Sequence, residues 1–313
     1  MFSTDSHEQT ILEFAQGGYL AISVESFLID RQAAGLSKHT LKFYRQFLNP
    51  FITYCNANSL TLVQQISPDY LRRYFLTFSE THNPGGVHAA YRTLRAFFRW
   101  LMNEEVLPPE WKNPMLKVKP PKVVIEPLEP ISIDDVKALI STCERGKFTG
   151  DRDHAIFLFL LDTGARAQEL CNTTIEDTDL NTGAVMIRYG KGGKTRMVFL
   201  GRKTRRALRS YLRLRHDLSP ALFVSTNGDR LTYNGLHLLL KRRAKLAKLV
   251  NKPTLHDFRR AFALNMLRNG VDIFALQRLM GHSDLQVLRR YLAQNDEDTH
   301  LAHMRGSPVD NNL

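Results

Sequence analysis

Cysteine is scarce in this chain of 313 residues. Its three cysteines, Cys55, Cys143 and Cys171, are scattered, and no two of them have a Cys-x-x-Cys spacing. An odd number of isolated cysteines is typical of reduced, buried thiols and argues against a disulfide framework or a zinc site. We therefore expect neither a bound metal nor a redox role.

Long apolar runs are also missing. The longest, "AIFLFLL" at residues 155–161, is too short to span a bilayer, and the N-terminal "MFSTDSHEQT" lacks the basic-then-apolar pattern of a secretion signal. A hydrophobic fraction of 43% and a charged fraction of 24% are typical of a globular protein. We expect a cytoplasmic protein with no membrane partner.

Acidic residues are too few to balance the basic ones. The chain has 43 Lys and Arg against 31 Asp and Glu, a formal net charge of +12. The excess is unevenly distributed, because residues 1–130 hold 13 basic and 12 acidic side chains, while residues 131–313 hold 30 and 19. This asymmetry indicates a polyanionic partner such as a nucleic acid, bound mainly by the second part of the chain.

A proline-rich stretch divides the chain. Residues 113–130 contain five prolines and no glycine, so they cannot form a regular helix and are predicted to be an extended linker. Residues 1–112 before it show helical periodicity, whereas residues 131–313 after it mix helical and strand patterns. The predicted fold is therefore mainly α with a small antiparallel β-sheet, in two domains.

Two stripes share one predicted helix in the first domain. We call the apolar residues at helical spacing the core stripe: Val87, Tyr91, Leu94, Phe98 and Leu101. One position further on is the basic stripe: His88, Arg92, Arg95 and Arg99. No acidic residue interrupts the basic stripe, so we interpret it as a DNA-contacting surface; the alternative is an ordinary solvated face.

The second domain has recognisable element boundaries. Ser132, with Asp135 three residues later, predicts the start of a helix. Another helix is predicted from about Asp153 to Thr163 and Gly164. Residues 184–200 predict a β-hairpin whose glycine-rich tip carries Lys191 and Lys194. Further basic side chains recur at helical spacing, and some of them merely solubilise the surface: Arg202, Arg206, Arg209 and Arg213.

Four separated segments carry side chains suited to a phosphodiester. They are "TGARAQEL" with Arg166, "GKGGK" with Lys191, "HDFRR" with His256 and Arg259, and "GHSDLQVLRRY" with His282 and Tyr291. Each segment is weak evidence alone. In this order, and with tyrosine nine residues after Gly-His, they resemble the tyrosine recombinase (phage integrase) family, in particular its Xer-like members.

The resemblance covers nearly the whole chain. It implies a helical, SAM-like core-binding domain over residues 1–112, a linker over 113–130, and a mixed α/β tyrosine recombinase catalytic domain with a C-terminal tail over 131–313. The sequence departs from the family at Ala165, where a larger apolar residue is common, and at Arg260, where many members have histidine. Neither departure removes a phosphate-handling position.

The residue types fit metal-free cleavage of DNA. Arg166 and Arg259 carry permanently charged forks that match phosphate oxygens. Lys191 at a hairpin tip can protonate the leaving oxygen as a general acid. Tyr291 is the predicted nucleophile, since adjacent cations and a base favour its phenolate.

The remaining roles follow from the resemblance. It implies that His256 acts as the base and that His282 stabilises the transition state. Glu169 corresponds to an acidic position of the family and is expected to orient its neighbours by ion pairing. Apart from the resemblance, Lys194 and Arg196 are predicted to bind DNA phosphates. Arg289 and Arg290 are predicted to set a positive field at Tyr291 or, alternatively, to bind backbone phosphates of the DNA.

The predicted function is site-specific recombination through a 3′-phosphotyrosyl intermediate, without metal, ATP or other cofactor. The predicted partners are duplex DNA and further copies of the chain in a synaptic tetramer on two DNA sites, with Leu301 and Met304 of the tail packed on a neighbouring protomer. Two alternatives stay open: a type IB topoisomerase-like activity, and a non-catalytic DNA-binding protein of the same fold.

Overall fold

A computed structural model describes residues 18–105, 107–122, 130–188 and 195–281. Contacts between Cα atoms divide the chain into two compact units, Met1–Glu126 and Pro127–Leu313. In these ranges no helix combines the length and the apolar character needed to cross a membrane. The two units are described in turn.

The first unit is helical. Its helices are α1 (Leu20–Ala33), α2 (Lys38–Ala57), α3 (Pro68–Thr81) and α4 (Pro84–Asn103), with 3₁₀ turns at Val63–Gln65 and Pro114–Lys117. Three helices begin at a polar residue whose side chain accepts a backbone N–H of the first turn: Ser37, Ser67 and Asn83. Proline follows Ser67 and Asn83 at a position where its missing N–H costs nothing.

The core stripe of α4 is confirmed. Every one of its five side chains is buried, and none is more than 5% exposed. They join aromatic side chains of α1, α2 and α3, and the packed rings include Phe27 against Phe97 and Phe51 against Phe98. The unit is therefore held together by apolar and aromatic burial.

The predicted linker begins with folded structure. Residues 114–117 form a 3₁₀ turn, not an extended strand, and Met115 and Val118 are buried in the core of the first unit. Tyr91 Oη donates to the Val118 carbonyl at 2.9 Å, and Asn113 Nδ2 donates to the Phe98 carbonyl at 3.1 Å. The expectation of an extended segment is wrong for these residues, because proline at the first position of a short helix is tolerated and the apolar side chains gain burial.

The second unit combines helices with a small sheet. Its elements are α5 (Ile133–Ser141), α6 (Phe148–Thr163), α7 (Ala167–Asn172), β1 (Ala184–Ile187), β2 (Arg196–Phe199), α8 (Arg202–Arg213), α9 (Tyr233–Leu246), α10 (Leu255–Arg268) and α11 (Ile273–Met280). Strands β1 and β2 are antiparallel, with Ala184 opposite Phe199. Helix α6 packs against α5, α8 and α10. The predicted fold class, mainly α with a small antiparallel sheet, is confirmed.

Helix α6 ends where the sequence predicts but begins earlier. It ends at Thr163, and Gly164 follows with a left-handed φ of 60°. It begins at Phe148 instead of Asp153. Gly150 makes the earlier start possible, because the first turn of the helix lies against the Glu144 backbone and a residue with a side chain would collide there. A Cβ at Gly150 would lie 1.9 Å from the Glu144 carbonyl oxygen.

A buried ion-pair cluster joins α6 to α9. Asp153 is fully buried and accepts from Arg152 Nε at 3.0 Å and from Arg243 Nε at 2.8 Å. Both arginines are themselves no more than 6% exposed. A carboxylate in this position is stabilised only because guanidinium groups surround it.

Candidate active site

The candidate site begins where α6 ends. Arg166 adopts an extended conformation and caps α7. Its backbone N donates to Glu169 Oε2 at 2.7 Å, and its Nη1 donates to Glu169 Oε1 at 2.9 Å. The Arg166 side chain keeps 28% exposure, so part of its guanidinium faces solvent and can reach a ligand.

Glu169 is a buried anion held between two arginines. Besides Arg166, it accepts from Arg196 Nη1 at 2.8 Å and Nη2 at 2.7 Å. Burial alone would raise the pKa of Glu169, but the hydrogen bonds and charge of Arg196, with the bonds from Arg166, outweigh it and lower that pKa to about 2. The expected ion pairing is confirmed, and it fixes the direction of both guanidinium groups.

Arg196 faces inward, and its predicted contact with DNA phosphates stays a prediction. Only 9% of its side chain is exposed, and besides Glu169 its Nε donates to the Leu279 carbonyl at 2.8 Å. The register of β2 explains this direction, since Arg196 and the buried Val198 share one face of the strand. That alternation is visible in the sequence and is the signal by which the inward position could have been found.

Arg259 links two separate segments of the unit. It lies on α10 and is 1% exposed. Its Nη1 donates to the Gly164 carbonyl, and its Nη2 donates to the Met280 carbonyl at 2.7 Å. Both carbonyls lie at helix C-termini, which carry partial negative charge and lack intrahelical partners. One guanidinium therefore connects the segment leading to Arg166 with the segment leading to His282.

Arg196 provides a second link to the end of α11, through the Leu279 carbonyl and a close approach to Gly281. Gly281 ends that helix with a left-handed φ of 63°. A Cβ at this position would lie 2.9 Å from Arg196 Cδ. The backbone just before His282 is thus fixed by two arginines and a glycine.

His256 lies in the first turn of α10 with part of its ring exposed to solvent. Partial burial lowers the pKa of His256, and the charges of Arg260 and Arg259 lower it further; Asp257 opposes them, and Arg166 adds a smaller effect in the same direction. The ring is therefore neutral near pH 7 and able to accept a proton. Arg260 itself ion-pairs with Asp257, which caps α10.

The structure brings together three of the six predicted catalytic residues: Arg166, His256 and Arg259. The other three, with the remaining predicted DNA contacts of the second domain and the tail, lie outside the described residues: Lys191, Lys194, His282, Arg289, Arg290, Tyr291, Leu301 and Met304. Strands β1 and β2 flank the segment that carries Lys191 and Lys194. Met280 and Gly281 directly precede His282.

The basic stripe lies on the outer side of α4 in the first unit. Arg92, Arg95 and Arg99 are exposed, and His88 is half-buried. Within the ranges that the structure describes, none of these three guanidinium groups forms an ion pair with a carboxylate. Among the described residues the stripe is therefore a positive surface without ion-pair partners, available for a polyanion.

The arrangement in the second unit is suited to a phosphodiester. The partly exposed Arg166 guanidinium can donate to phosphate oxygens, the buried Arg259 fixes the backbone beside it, and a neutral imidazole can accept a proton. Over the described ranges, no group of three or more His, Cys, Asp or Glu side chains is placed to hold a metal ion.

Family models match both units. The phage integrase family model matches residues 130–298, and the model of the phage integrase N-terminal SAM-like domain matches residues 24–105. Tyrosine recombinase XerD of Listeria innocua is 31% identical over 287 residues, covering 87% of this chain and 91% of the relative. Tyrosine recombinase XerA of Pyrococcus furiosus is 32% identical over 275 residues, covering 86% and 88%.

Solved structures agree. The crystal structure of a XerA recombinase is 26% identical with a TM-score of 0.52, covering 90% of this chain and 97% of that one. The Tn1549 transposon integrase in complex with transposon right end DNA shares the fold, with a TM-score of 0.76 at 17% identity, covering 92% and 99%. The chain therefore belongs to the phage integrase family, and its identification from sequence as a tyrosine recombinase is confirmed.

Proposed function

We propose that this chain breaks and rejoins DNA strands at specific sites, with Tyr291 as the nucleophile. Tyr291 Oη attacks a backbone phosphorus and forms a 3′-phosphotyrosyl bond, while the bond from phosphorus to the 5′ oxygen breaks. His256 takes the tyrosine proton, and Lys191 gives a proton to the leaving 5′ oxygen. Attack by a 5′ hydroxyl reverses these steps, so the phosphodiester energy is conserved and no ATP is consumed.

The charged groups stabilise the phosphorane that forms on the way. Arg166 and Arg259 neutralise its oxygens, and His282 donates to it. The observation that carries the proposal is the position of Arg259, whose guanidinium bonds both the Gly164 and Met280 carbonyls. This arrangement ties the segment before Arg166 to the end of α11.

Duplex DNA is the proposed substrate. The XerH recombinase, whose fold this chain shares with a TM-score of 0.70 at 19% identity, was solved on its palindromic difH substrate. In this chain we assign DNA binding by the basic stripe to residues 1–112 and catalysis to residues 131–313. Residues 113–118 pack with the first unit, so we propose that the connection between the two domains begins after Val118.

We propose that recombination requires four copies of the chain on two DNA sites. The tail after Tyr291 would pack Leu301 and Met304 on a neighbouring protomer, so that assembly and tyrosine positioning are coupled. Since the proposed substrate is chromosomal or mobile DNA, we also propose that the protein acts in the cytoplasm.

The direct test is Tyr291→Phe, which removes the nucleophilic oxygen and keeps the ring. On nicked suicide substrates made from the cell's own binding sites, the covalent protein–DNA adduct should disappear, while DNA affinity should hardly change because phosphate contacts supply it. Tyr233→Phe, at an exposed tyrosine of α9, is the matched control and should form the adduct normally. Adduct formation by the Tyr291 variant would mean that another residue is the nucleophile.

A plasmid relaxation assay with the unmodified chain distinguishes recombination from topoisomerase activity. A type IB-like enzyme would relax supercoiled plasmid without any specific site. The proposed recombinase should leave such a plasmid supercoiled and should join strands only between paired sites.

A further inference from the structure

Helix α8 presents five arginines along one face. Arg202, Arg205, Arg206, Arg209 and Arg213 are spaced so that they fall within an arc of about 100°. They line an open groove of about 440 Å³. The opposite face of α8 is buried through Thr204, Ala207, Leu208 and Tyr211. We call the exposed side the arginine face.

The arginine face is unfavourable for the helix that carries it. Arginines three and four residues apart repel one another, as in the pairs Arg202 with Arg206 and Arg209 with Arg213. The first turn of α8 contains Arg202, Lys203 and Arg205 and no acidic residue, so cations lie at the positive end of the helix dipole. A surface that served only solubility would mix both signs of charge.

The carboxylate at the start of α8 does not pair with these arginines: Asp162 accepts from the Gly201 backbone N–H and from the Thr204 hydroxyl. None of the five arginines takes part in an ion pair within the described ranges. Arg205 and Arg209 donate instead to the carbonyl oxygens of Asn181 and Leu180, which holds these two side chains against the loop before β1. The other three are exposed. The groove is therefore partly preorganised and strongly positive.

We propose that the arginine face binds the phosphate backbone of duplex DNA, as a contact additional to the catalytic cluster and the basic stripe. Arg202 and Arg213 are about 17 Å apart along the helix. One strand of DNA carries about five phosphates over that length, so the number of arginines matches the number of phosphates.

The lining favours DNA over an acidic protein. Arginine forks bind phosphate oxygens in pairs, whereas stable protein interfaces centre on apolar and aromatic anchors. All five side chains that line the groove are arginines. The inference rests on the proposed function only in taking duplex DNA as the polyanion that this chain meets.

The test replaces the three arginines that are not bonded to the loop before β1, in Arg202→Gln/Arg206→Gln/Arg213→Gln, and leaves Arg205 and Arg209 in place. The full chain is titrated with a short random-sequence duplex over a range of NaCl concentrations. The slope of log affinity against log salt should become shallower by up to about 2.7, since each phosphate that is no longer neutralised removes roughly 0.9 from it. The melting temperature should stay the same or rise, because like charges have been removed from a helix.

The control variant, Arg31→Gln/Arg45→Gln/Arg72→Gln, also removes three positive charges, but at positions in the first unit. Each of these arginines is already paired with a carboxylate, so its slope should match that of the unmodified chain. An unchanged slope in the α8 variant, or an equal change in both variants, would overturn the proposal. Adduct formation at Tyr291 is measured separately, and it tests the proposed function whatever the slopes show.

Discussion

The two units differ in what they bury. In the first unit the buried polar side chains of the described residues are Ser23, Thr93 and Asn113, and none of them is charged. The buried charges of the described residues all belong to the second unit: Asp151, Arg152, Asp153, Glu169, Asp177, Arg243, Asp257 and Arg259. Both units have an apolar core, but only the second adds buried pairs of opposite charge to it.

The difference reflects what each unit has to position. A DNA-contacting surface needs only a rigid support, which an aromatic core supplies. A site that handles phosphate needs guanidinium groups in fixed directions, and these must be paired wherever they are buried. Arg259 and Arg196 meet this need by donating to carbonyls and to Glu169. The comparison predicts that nearly isosteric substitutions will lower the free energy of unfolding by very different amounts in the two units.

The largest effect is expected at Asp153→Asn. The substitution preserves shape but leaves the buried Arg152 and Arg243 without their anion, which costs about 3–5 kcal/mol of unfolding free energy. Urea denaturation of the full chain should show the second unit unfolding at lower urea.

Asp134→Asn is the matched control. Its carboxylate pairs with Lys137 on the surface of the same unit, and a loss of no more than about 1 kcal/mol is expected because water screens both that pair and the interaction with the helix dipole. If both variants unfold alike, charge pairing does not stabilise the second unit.

Arg196→Lys should have the next largest effect, and it should change the rate of covalent adduct formation more than the affinity for DNA. Lysine keeps the charge but cannot donate to both Glu169 oxygens and the Leu279 carbonyl at once. The backbone before His282 would then lose its anchor, and adduct formation should slow by about 10- to 100-fold, equivalent to roughly 1.4–2.7 kcal/mol.

Arg188→Lys is the control for this substitution. Arg188 follows β1, is more than half exposed and pairs with Asp177, so the rate should hardly change. Measured affinity for DNA separates the two roles open to Arg196: weaker binding at an unchanged rate would mean that this arginine contacts a DNA phosphate after all.

A smaller effect is expected at Leu94→Met in the first unit. Leu94 is fully buried in α4, yet its neighbours are apolar and methionine has a similar volume. The loss of unfolding free energy should stay below about 1.5 kcal/mol, and adduct formation should be normal at moderate temperature. A cost equal to that of Asp153→Asn would remove the proposed difference between the two cores.

Sequence reasoning succeeded where local rules decide the structure. Spacing predicted the core stripe of α4, and glycine predicted the end of α6 at Gly164, because periodicity and a left-handed φ are local properties. It did not anticipate the inward direction of Arg196, although Val198, two residues further along the same strand, faces the core. The carbonyl contacts of Arg259 at Gly164 and Met280 were beyond prediction, because they join positions far apart in the chain.

The smallest expected effect is a shift in the pH profile. The pKa of His256 is lowered by burial and then by the charge of Arg260. If His256 is the base, adduct formation should fall on the acid side only once the pH drops below the ordinary histidine value of about 6.5. Arg260→Gln removes that charge and frees Asp257, which raises the pKa of His256, so the acid limb should move to higher pH. Lys241→Gln, at an exposed position of α9, should leave the limb in place. An acid limb that does not move in the Arg260 variant would assign the proton transfer to another group.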